Sequence, residues 1–170
     1  MRPGRAVNRV VLPTAADTHT FGRRLAELLR AGDLVLLTGP LGAGKTALTQ
    51  GIGAGLGVLG DITSPTFVIA RVHRPDPVGG RGVALVHADA YRLGDASDPR
   101  AEIDDLDLDA SVDEAVTVVE WGEGLVEQLA EAHLRIRLDR REDDTRVAEL
   151  VPVGGDWAQR LAALGLAALG

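Results

Sequence analysis

Apolar residues recur along this chain in short runs, and their spacing predicts alternating helices and strands. The run Leu34–Thr38 (LVLLT) is unbroken and apolar, which is typical of a strand covered on both faces of a sheet. Before it, apolar residues recur at helical spacing between positions 21 and 29. Thr14 and Asp17 have the spacing of a capping box, so we predict a capped helix that continues to Gly32.

The later runs predict further strands and two more helices. A helix is expected over Lys45–Leu56, and a last one from Trp157 with Asp156 as its cap. Strands are expected over Thr66–His73, Val83–Arg92, Thr117–Glu120, Leu134–Asp139 and Arg146–Pro152. The strands Thr66–His73 and Val83–Arg92 are joined by a Pro/Gly-rich connection that we expect to be mobile. The last two strands in the chain are expected to form an antiparallel hairpin. The pattern therefore predicts an α/β fold with a mixed, partly parallel central sheet.

Composition limits the class of protein. The length of 170 residues predicts a single domain over residues 1–170. The absence of cysteine excludes disulfides and thiolate metal sites, and the four histidines lack the spacing of a zinc site. The first dozen residues carry three arginines without an apolar signal core, so we expect a solvated N-terminus and a cytoplasmic protein with no membrane segment.

Charge is distributed unevenly along the chain. Of the 18 basic residues, only Lys45 is a lysine. An ammonium is a compact point charge that fits among phosphates where a planar guanidinium would not, so this choice points to a phosphate site.

The stretch Asp95–Glu114 carries nine acids against one arginine. It is either a solvated face or a docking surface for a basic partner.

The segment Gly39–Thr46 (GPLGAGKT) satisfies the Walker A pattern GxxxxGK[ST] at every fixed position. Glycines let the backbone curl so that successive N–H groups converge on an anion, and the following helix directs its positive end to the same point. Lys45 is expected to reach the β- and γ-phosphates, and the Thr46 hydroxyl to ligate Mg²⁺. A buried-type strand before the loop and a helix former after it argue against a fortuitous glycine-rich turn.

Candidate catalytic groups lie at the ends of predicted strands, where open α/β sheets bind their ligands. Asp89 and Glu120 each end an apolar run, and each could hold Mg²⁺, orient the attacking water, or serve only as a structural acid. The pair Ser64 and Thr66, in the sequence SPTF, is suited to sensing a γ-phosphate at a loop-to-strand junction, or forms an ordinary turn.

Four motifs in this order, GPLGAGKT, SPTF, HADAYR and VEW, resemble the bacterial TsaE family of P-loop ATPases. The resemblance covers nearly the whole chain and implies a three-layer P-loop NTPase-like fold. It also implies a Mg²⁺-dependent ATPase with low activity alone, stimulated by a TsaD-type transferase and its TsaB-type paralogue. Together these proteins place threonylcarbamoyl on the adenosine beside the anticodon of tRNA, and this chain would not form the carbamoyl link itself.

The resemblance also assigns roles to residues. ATP and Mg²⁺ are the implied cofactors; Thr46 and Glu120 hold Mg²⁺, Asp89 is essential for turnover, and Thr66 belongs to a switch segment. Ser64 and Trp121, the residue after the acid, would face the switch or a partner. Arg141 is assigned to a basic position near the base, although its charged turn does not align cleanly with the family. The nucleotide-binding set is completed by Gly39, Leu41, Gly42, Ala43, Gly44, Lys45 and Ala47, the last of which stands where the family often has a second threonine.

Two other classes of nucleotide-dependent protein are alternatives to an ATPase. A GTPase is disfavoured because guanine recognition resembles NKxD, and the chain has no second lysine to build it. A small-molecule kinase with a P-loop fold stays open, with Arg140 and Arg141 as a lid over the transferred phosphoryl group. Because the net charge is −7, we expect this chain to meet tRNA only through a complex.

Overall fold

The apolar runs form a single mixed sheet in the computed structural model, which describes residues 8–40, 42–63, 70–89, 114–120 and 131–165. The sheet has seven strands in the order β1-β7-β6-β2-β5-β4-β3. The strands are β1 (Asn8–Leu12), β2 (Leu34–Thr38), β3 (Ala70–His73), β4 (Ala84–Asp89), β5 (Ala115–Glu120), β6 (His133–Arg140) and β7 (Arg146–Val153). The helices are α1 (Ala15–Ala26), α2 (Lys45–Leu56) and α3 (Trp157–Ala163).

The centre of the sheet is parallel and its margins are antiparallel, as the sequence predicts. Strand β2 pairs in parallel with β5 and β6, and β5 pairs in parallel with β4. The hairpins β3/β4 and β6/β7 and the pair β1/β7 are antiparallel. All six residues of β5 are buried, which is the burial expected of a strand with both faces covered. The carboxyl ends of β2, β4 and β5 therefore meet at one edge of the sheet.

Helix α1 begins with the predicted capping box. The Asp17 amide donates to Thr14 Oγ1 at 3.1 Å, and the Thr14 amide donates to Asp17 Oδ2 at 3.0 Å. The helix ends at Ala26, six residues before the predicted end at Gly32. Beyond Ala26 the chain continues in tighter turns, in which the Leu28 amide donates to Leu25 O at 2.9 Å and the Leu29 amide donates to Ala26 O at 3.2 Å. Arg81 also donates to Ala26 O and, at 3.0 Å, to Leu29 O, so a distant arginine covers this end of the helix.

The connection between β3 and β4, which the composition predicts to be mobile, is hydrogen-bonded to the carboxyl end of α2. The Asp76 amide donates to Gly57 O at 2.9 Å, just beyond α2. The Arg81 amide donates to Leu56 O at 3.1 Å, at the end of α2 itself. The proline- and glycine-rich segment therefore covers the carboxyl ends of α1 and α2, and its turns satisfy helix carbonyls.

The termini of the described chain differ from the prediction in two places. The first is β1, which was not predicted: Arg9 belongs to this strand, opposite Glu149 of β7, and is not part of a frayed terminus. The second is the cap of α3. Asp156 precedes the helix but makes no side-chain cap bond; its carboxylate accepts from Arg30 at 2.6 Å and from Arg160 at 3.1 Å.

Helix α3 is attached to the domain by a buried ion pair. Arg160 donates to both carboxylate oxygens of Asp33, at 2.7 and 2.9 Å, and its side chain is only 14% exposed. These contacts raise the pKa of Arg160, chiefly through the hydrogen bond to Asp33. None of the described helices is long and apolar enough to cross a membrane.

Candidate nucleotide site

The glycine-rich loop connects the end of β2 to the start of α2, and three of its glycines have positive φ angles. These angles are 139° at Gly39, 82° at Gly42 and 101° at Gly44. At Gly39 there is also no room for a side chain, because a Cβ atom there would lie 2.2 Å from the carbonyl oxygen of Leu138 in β6. The loop conformation therefore depends on glycine in both its torsion angles and its packing.

Lys45 is the first residue of α2 and is folded back over the loop. Its Nζ atom donates to Gly39 O at 2.6 Å, and the residue is 7% exposed. The start of α2 carries no side-chain cap and no acidic residue in its first turn. Its first amides and the ammonium therefore favour an anion at this point. Thr46 follows on the same turn and is half-buried, and Ala43 and Ala47 flank the pair.

The two acids predicted at strand ends are neighbours in the sheet. Asp89 is the last residue of β4 and lies directly opposite Glu120, the last residue of β5. On its other side, Glu120 lies opposite Leu37 of β2, two residues before the loop begins at Gly39. Register alone thus brings both predicted acids to the edge of the sheet from which the loop emerges.

Glu120 is buried and contacts a histidine that the sequence analysis did not assign to the site. The residue is 4% exposed, and its Oε2 atom lies 2.5 Å from Nε2 of His87 in β4. His87 is fully buried. A carboxylate oxygen only accepts, so Nε2 carries the hydrogen, and Oε1 remains able to ligate a cation. Only the register of β4 against β5, which places His87 opposite Val118, could have indicated this contact.

The β6/β7 hairpin brings arginines to the loop. The Arg146 guanidinium lies 3.4 Å from Gly42 O and also donates to the carbonyl of Asp144. Arg140 pairs with the Asp144 carboxylate at 2.8 Å, and its guanidinium lies 3.6 Å from where a Cβ of Gly42 would be. Arg141, the predicted base contact, is exposed at the tip of the hairpin. Arg146 was not predicted, since its position depends on the pairing of two distant strands.

A polar cleft of about 500 Å³ opens beside α2, on the side that leads to the predicted switch. Its lining includes His19, Gln50, Asp61 and Thr63. The Gln50 side chain donates to Ile62 O at 2.8 Å, so α2 is bonded to the segment that precedes Ser64. Helix α2 therefore connects the phosphate loop to Ile62, which lies two residues before the predicted switch residue Ser64.

Several predicted site residues lie outside the described residues. These are Leu41 of the loop, Ser64 and Thr66 of the switch, and Trp121 after the acid. Most of the acidic stretch, residues 95–113, also lies outside them, and for Asp89 only the backbone position is described. Within the described ranges, no cluster of three or more His, Cys, Asp or Glu side chains could hold a metal ion by itself.

Comparison with known proteins identifies the family of this chain. Residues 12–148 match the family model of the "Threonylcarbamoyl adenosine biosynthesis protein TsaE". This chain belongs to the TsaE family. A TsaE protein of Streptomyces coelicolor is 59% identical over 142 residues, which is 81% of this chain and 92% of the relative. TsaE of Mycobacterium tuberculosis H37Rv is 55% identical over 140 residues, covering 81% and 82% of the two chains.

The fold is shared with a solved structure as well. The crystal structure of YdiB from Bacillus subtilis superposes with a TM-score of 0.72 and 28% identity, covering 93% of each chain. This likeness confirms the predicted α/β fold with its mixed, partly parallel sheet. The relatives carry the name tRNA threonylcarbamoyladenosine biosynthesis protein, so the TsaE membership that the four motifs suggested is confirmed.

Proposed function

We propose that this TsaE-family chain binds and hydrolyses ATP for the threonylcarbamoyladenosine modification of tRNA, at the adenosine beside the anticodon. The observation that carries the proposal is the convergence of two separate sequence motifs. The loop with Lys45 leaves β2 two residues after Leu37, and Leu37 pairs with Glu120 of β5. A phosphate-binding loop beside a buried carboxylate is the arrangement that nucleotide hydrolysis requires.

The residues present fit a magnesium ion bound together with phosphates. Thr46 offers a hydroxyl and Glu120 a carboxylate, and oxygen donors are those that Mg²⁺ prefers. Because the described residues hold no larger ligand cluster, phosphate oxygens and water would complete the octahedron. When bound, Mg²⁺ would neutralise charge that develops on the phosphates.

The chain's own groups supply the remaining chemistry. The Lys45 ammonium would exchange its bond to Gly39 O for phosphate oxygens, and the loop amides would bind the same anion. We propose that Asp89, beside Glu120 at the ends of their strands, orients the attacking water and is essential for turnover. Ser64 and Thr66 would respond to the γ-phosphate, and Arg141 would lie near the base.

We propose a TsaD-type transferase and its TsaB-type paralogue as partners, with Ser64 and Trp121 in the switch or partner surface. Hydrolysis would be slow in the isolated chain and faster with these subunits. The net charge of −7 supports contact with tRNA only through the complex, because cations supply most nucleic-acid affinity. The role also fits the cytoplasmic location that the sequence predicts.

Phosphate release from ATP and Mg²⁺ tests this proposal, with and without the two partner subunits. We expect slow release that the partners accelerate, and a loss of at least about 100-fold in Asp89→Ala and in Glu120→Ala with ATP still bound. Asp139→Ala, at a half-buried residue of β6 whose carboxylate pairs with Arg137 at 3.2 Å, is the control and should retain wild-type turnover. Phosphate transferred to an added metabolite would favour the small-molecule kinase instead. Unchanged turnover in either carboxylate variant would remove that residue from the site.

A further inference from the structure

The contact between His87 and Glu120 joins two buried polar groups on neighbouring strands. The side chain of His87 is 0% exposed and that of Glu120 is 6% exposed, and Nε2 lies 2.5 Å from Oε2. In the register, His87 is opposite Val118, so the contact runs diagonally along the two strands toward their carboxyl ends. Regular strands hold both backbones, so the register fixes the positions from which the two side chains extend.

The second ring nitrogen of His87 bears on the role of this residue. His87 Nδ1 is buried and has no hydrogen-bond partner among the described residues. A buried polar atom without a partner costs free energy, so an apolar side chain would be the cheaper filling of this position. The compensating contact is the one at Nε2, which satisfies Glu120. Within the described part of the chain, Glu120 is therefore the hydrogen-bond partner that the imidazole has.

We propose that His87 is a positioning residue for the metal ligand Glu120. By donating to Oε2, it would restrain the carboxylate and leave Oε1 available to the cation that accompanies the nucleotide. This inference rests on the proposed function, because it takes Glu120 as a magnesium ligand. Groups that orient a metal ligand in this way typically change metal affinity by about 10–100-fold when they are removed.

Two amide variants separate this role from simple core filling. In His87→Gln, the amide nitrogen can reach the position of Nε2 and restore the donor to Glu120. In His87→Asn, the side chain is one carbon shorter, so its amide cannot reach. Both variants are polar and neutral, and both place an amide group in the core, so the cost of burying a polar side chain is similar. His73→Asn is the matched control, because His73 is a buried histidine of the adjacent strand β3 and bonds to Leu59 O at 3.3 Å.

The readout is binding of Mn²⁺, followed by electron paramagnetic resonance, to the full chain in the presence of the non-hydrolysable analogue AMPPNP. We expect His87→Asn to raise the Kd for Mn²⁺ by about 10–100-fold, and His87→Gln to stay within about threefold of the wild type. Affinity for ADP in EDTA should be the same in all variants. The His73→Asn control should bind Mn²⁺ as the wild type does.

Coupling between the two residues gives a second criterion. In a Glu120→Gln background, adding His87→Asn should cause no further loss of Mn²⁺ affinity, because the positioned carboxylate is already gone. Equal Mn²⁺ affinity in His87→Asn and His87→Gln, whether retained or lost, would overturn the inference. If the wild type itself bound neither AMPPNP nor Mn²⁺, the proposed function would fail and not the positioning role alone.

Discussion

At the scale of single residues, Gly39 shows how tightly the phosphate loop is constrained. Its φ angle of 139° disfavours any residue with a side chain, and its packing against Leu138 leaves no space for one. The same residue accepts the bond from Lys45 Nζ. One glycine thus joins the strand β2, the hairpin strand β6 and the ammonium of the site.

Gly39→Ala is therefore expected to cost more than an ordinary glycine substitution. We predict a loss of unfolding free energy about 2 kcal/mol larger than for Gly82→Ala, since of these two glycines Gly39 alone combines the torsional strain with a steric clash. Gly82 is the matched control, because it has a φ angle of 77° and no atom within 4 Å of its missing Cβ. Urea unfolding of the two variants compares them. Equal losses of unfolding free energy in the two variants would show that the Leu138 carbonyl moves aside without an energetic penalty.

Some residues of the site can be predicted from the sequence and others cannot. Lys45, Thr46, Asp89 and Glu120 are identifiable because each stands at a fixed place relative to a local pattern, either the loop motif or the end of an apolar run. His87 and Arg146 are not identifiable in this way. Their contacts depend on register between strands that are far apart in the chain, and no local spacing encodes that register.

At the scale of elements, the helices α1 and α2 pack closely because glycines line their contact. A Cβ atom at Gly51 would lie 2.1 Å from His19 O, and one at Gly22 would lie 2.4 Å from Leu48 O. Glycine lowers helix stability by about 1 kcal/mol relative to alanine, so its use in mid-helix needs a compensating reason. Close approach of the two backbones is that reason here.

Replacing Gly51 by alanine tests this packing. The gain in helix propensity, about 1 kcal/mol, should be outweighed by overpacking, so that Gly51→Ala lowers the unfolding free energy by about 2 kcal/mol. Gly53→Ala on the same helix is the control. Its added Cβ would meet the tip of the Ile62 side chain, which can move aside, so we expect a change within about 1 kcal/mol. Thermal unfolding of both variants decides between these outcomes, and stabilisation by Gly51→Ala would contradict the packing argument.

Element boundaries were predicted well where a local signal marks them. The bounds of β2 and α2 are confirmed, with glycines near their ends, and a capping box marks the start of α1. Helix α1 ends at Ala26, earlier than predicted, where Arg81 from a distant connection donates to the Ala26 carbonyl. Strand β1 was missed since it has only five residues, two of them polar at its start. It is a strand because β7 offers an edge to pair with, which is a tertiary cause.

At the scale of the whole molecule, the buried His73 makes stability depend on pH. Burial lowers the pKa of His73 below the ordinary value of 6.5, partly opposed by its bond to Leu59 O. The unfolded chain therefore takes up a proton as the pH falls through 6.5, before the folded chain does. The proton stabilises the unfolded state, so the free energy of unfolding falls as the pH decreases below about 6.5.

His73→Gln should reduce this dependence. We expect the wild type to lose more stability than the variant between pH 7.5 and pH 5.5, because only the wild type gains a proton at this position on unfolding. Urea unfolding at the two pH values measures the difference. Val72→Thr, at an exposed position beside His73 in β3, is the control and should keep the wild-type pH dependence. A His73→Gln variant with the wild-type slope would remove His73 from this account.

The central claim is that the loop and its single lysine bind the triphosphate of ATP. Isothermal titration calorimetry of the full chain with ATP and Mg²⁺ tests it most directly, with Lys45→Ala alongside the wild type. We predict measurable heat and micromolar-range affinity for the wild type, and a loss of at least about 100-fold in the variant. Absence of heat for the wild type at millimolar ATP, or equal affinity in Lys45→Ala, would contradict the account.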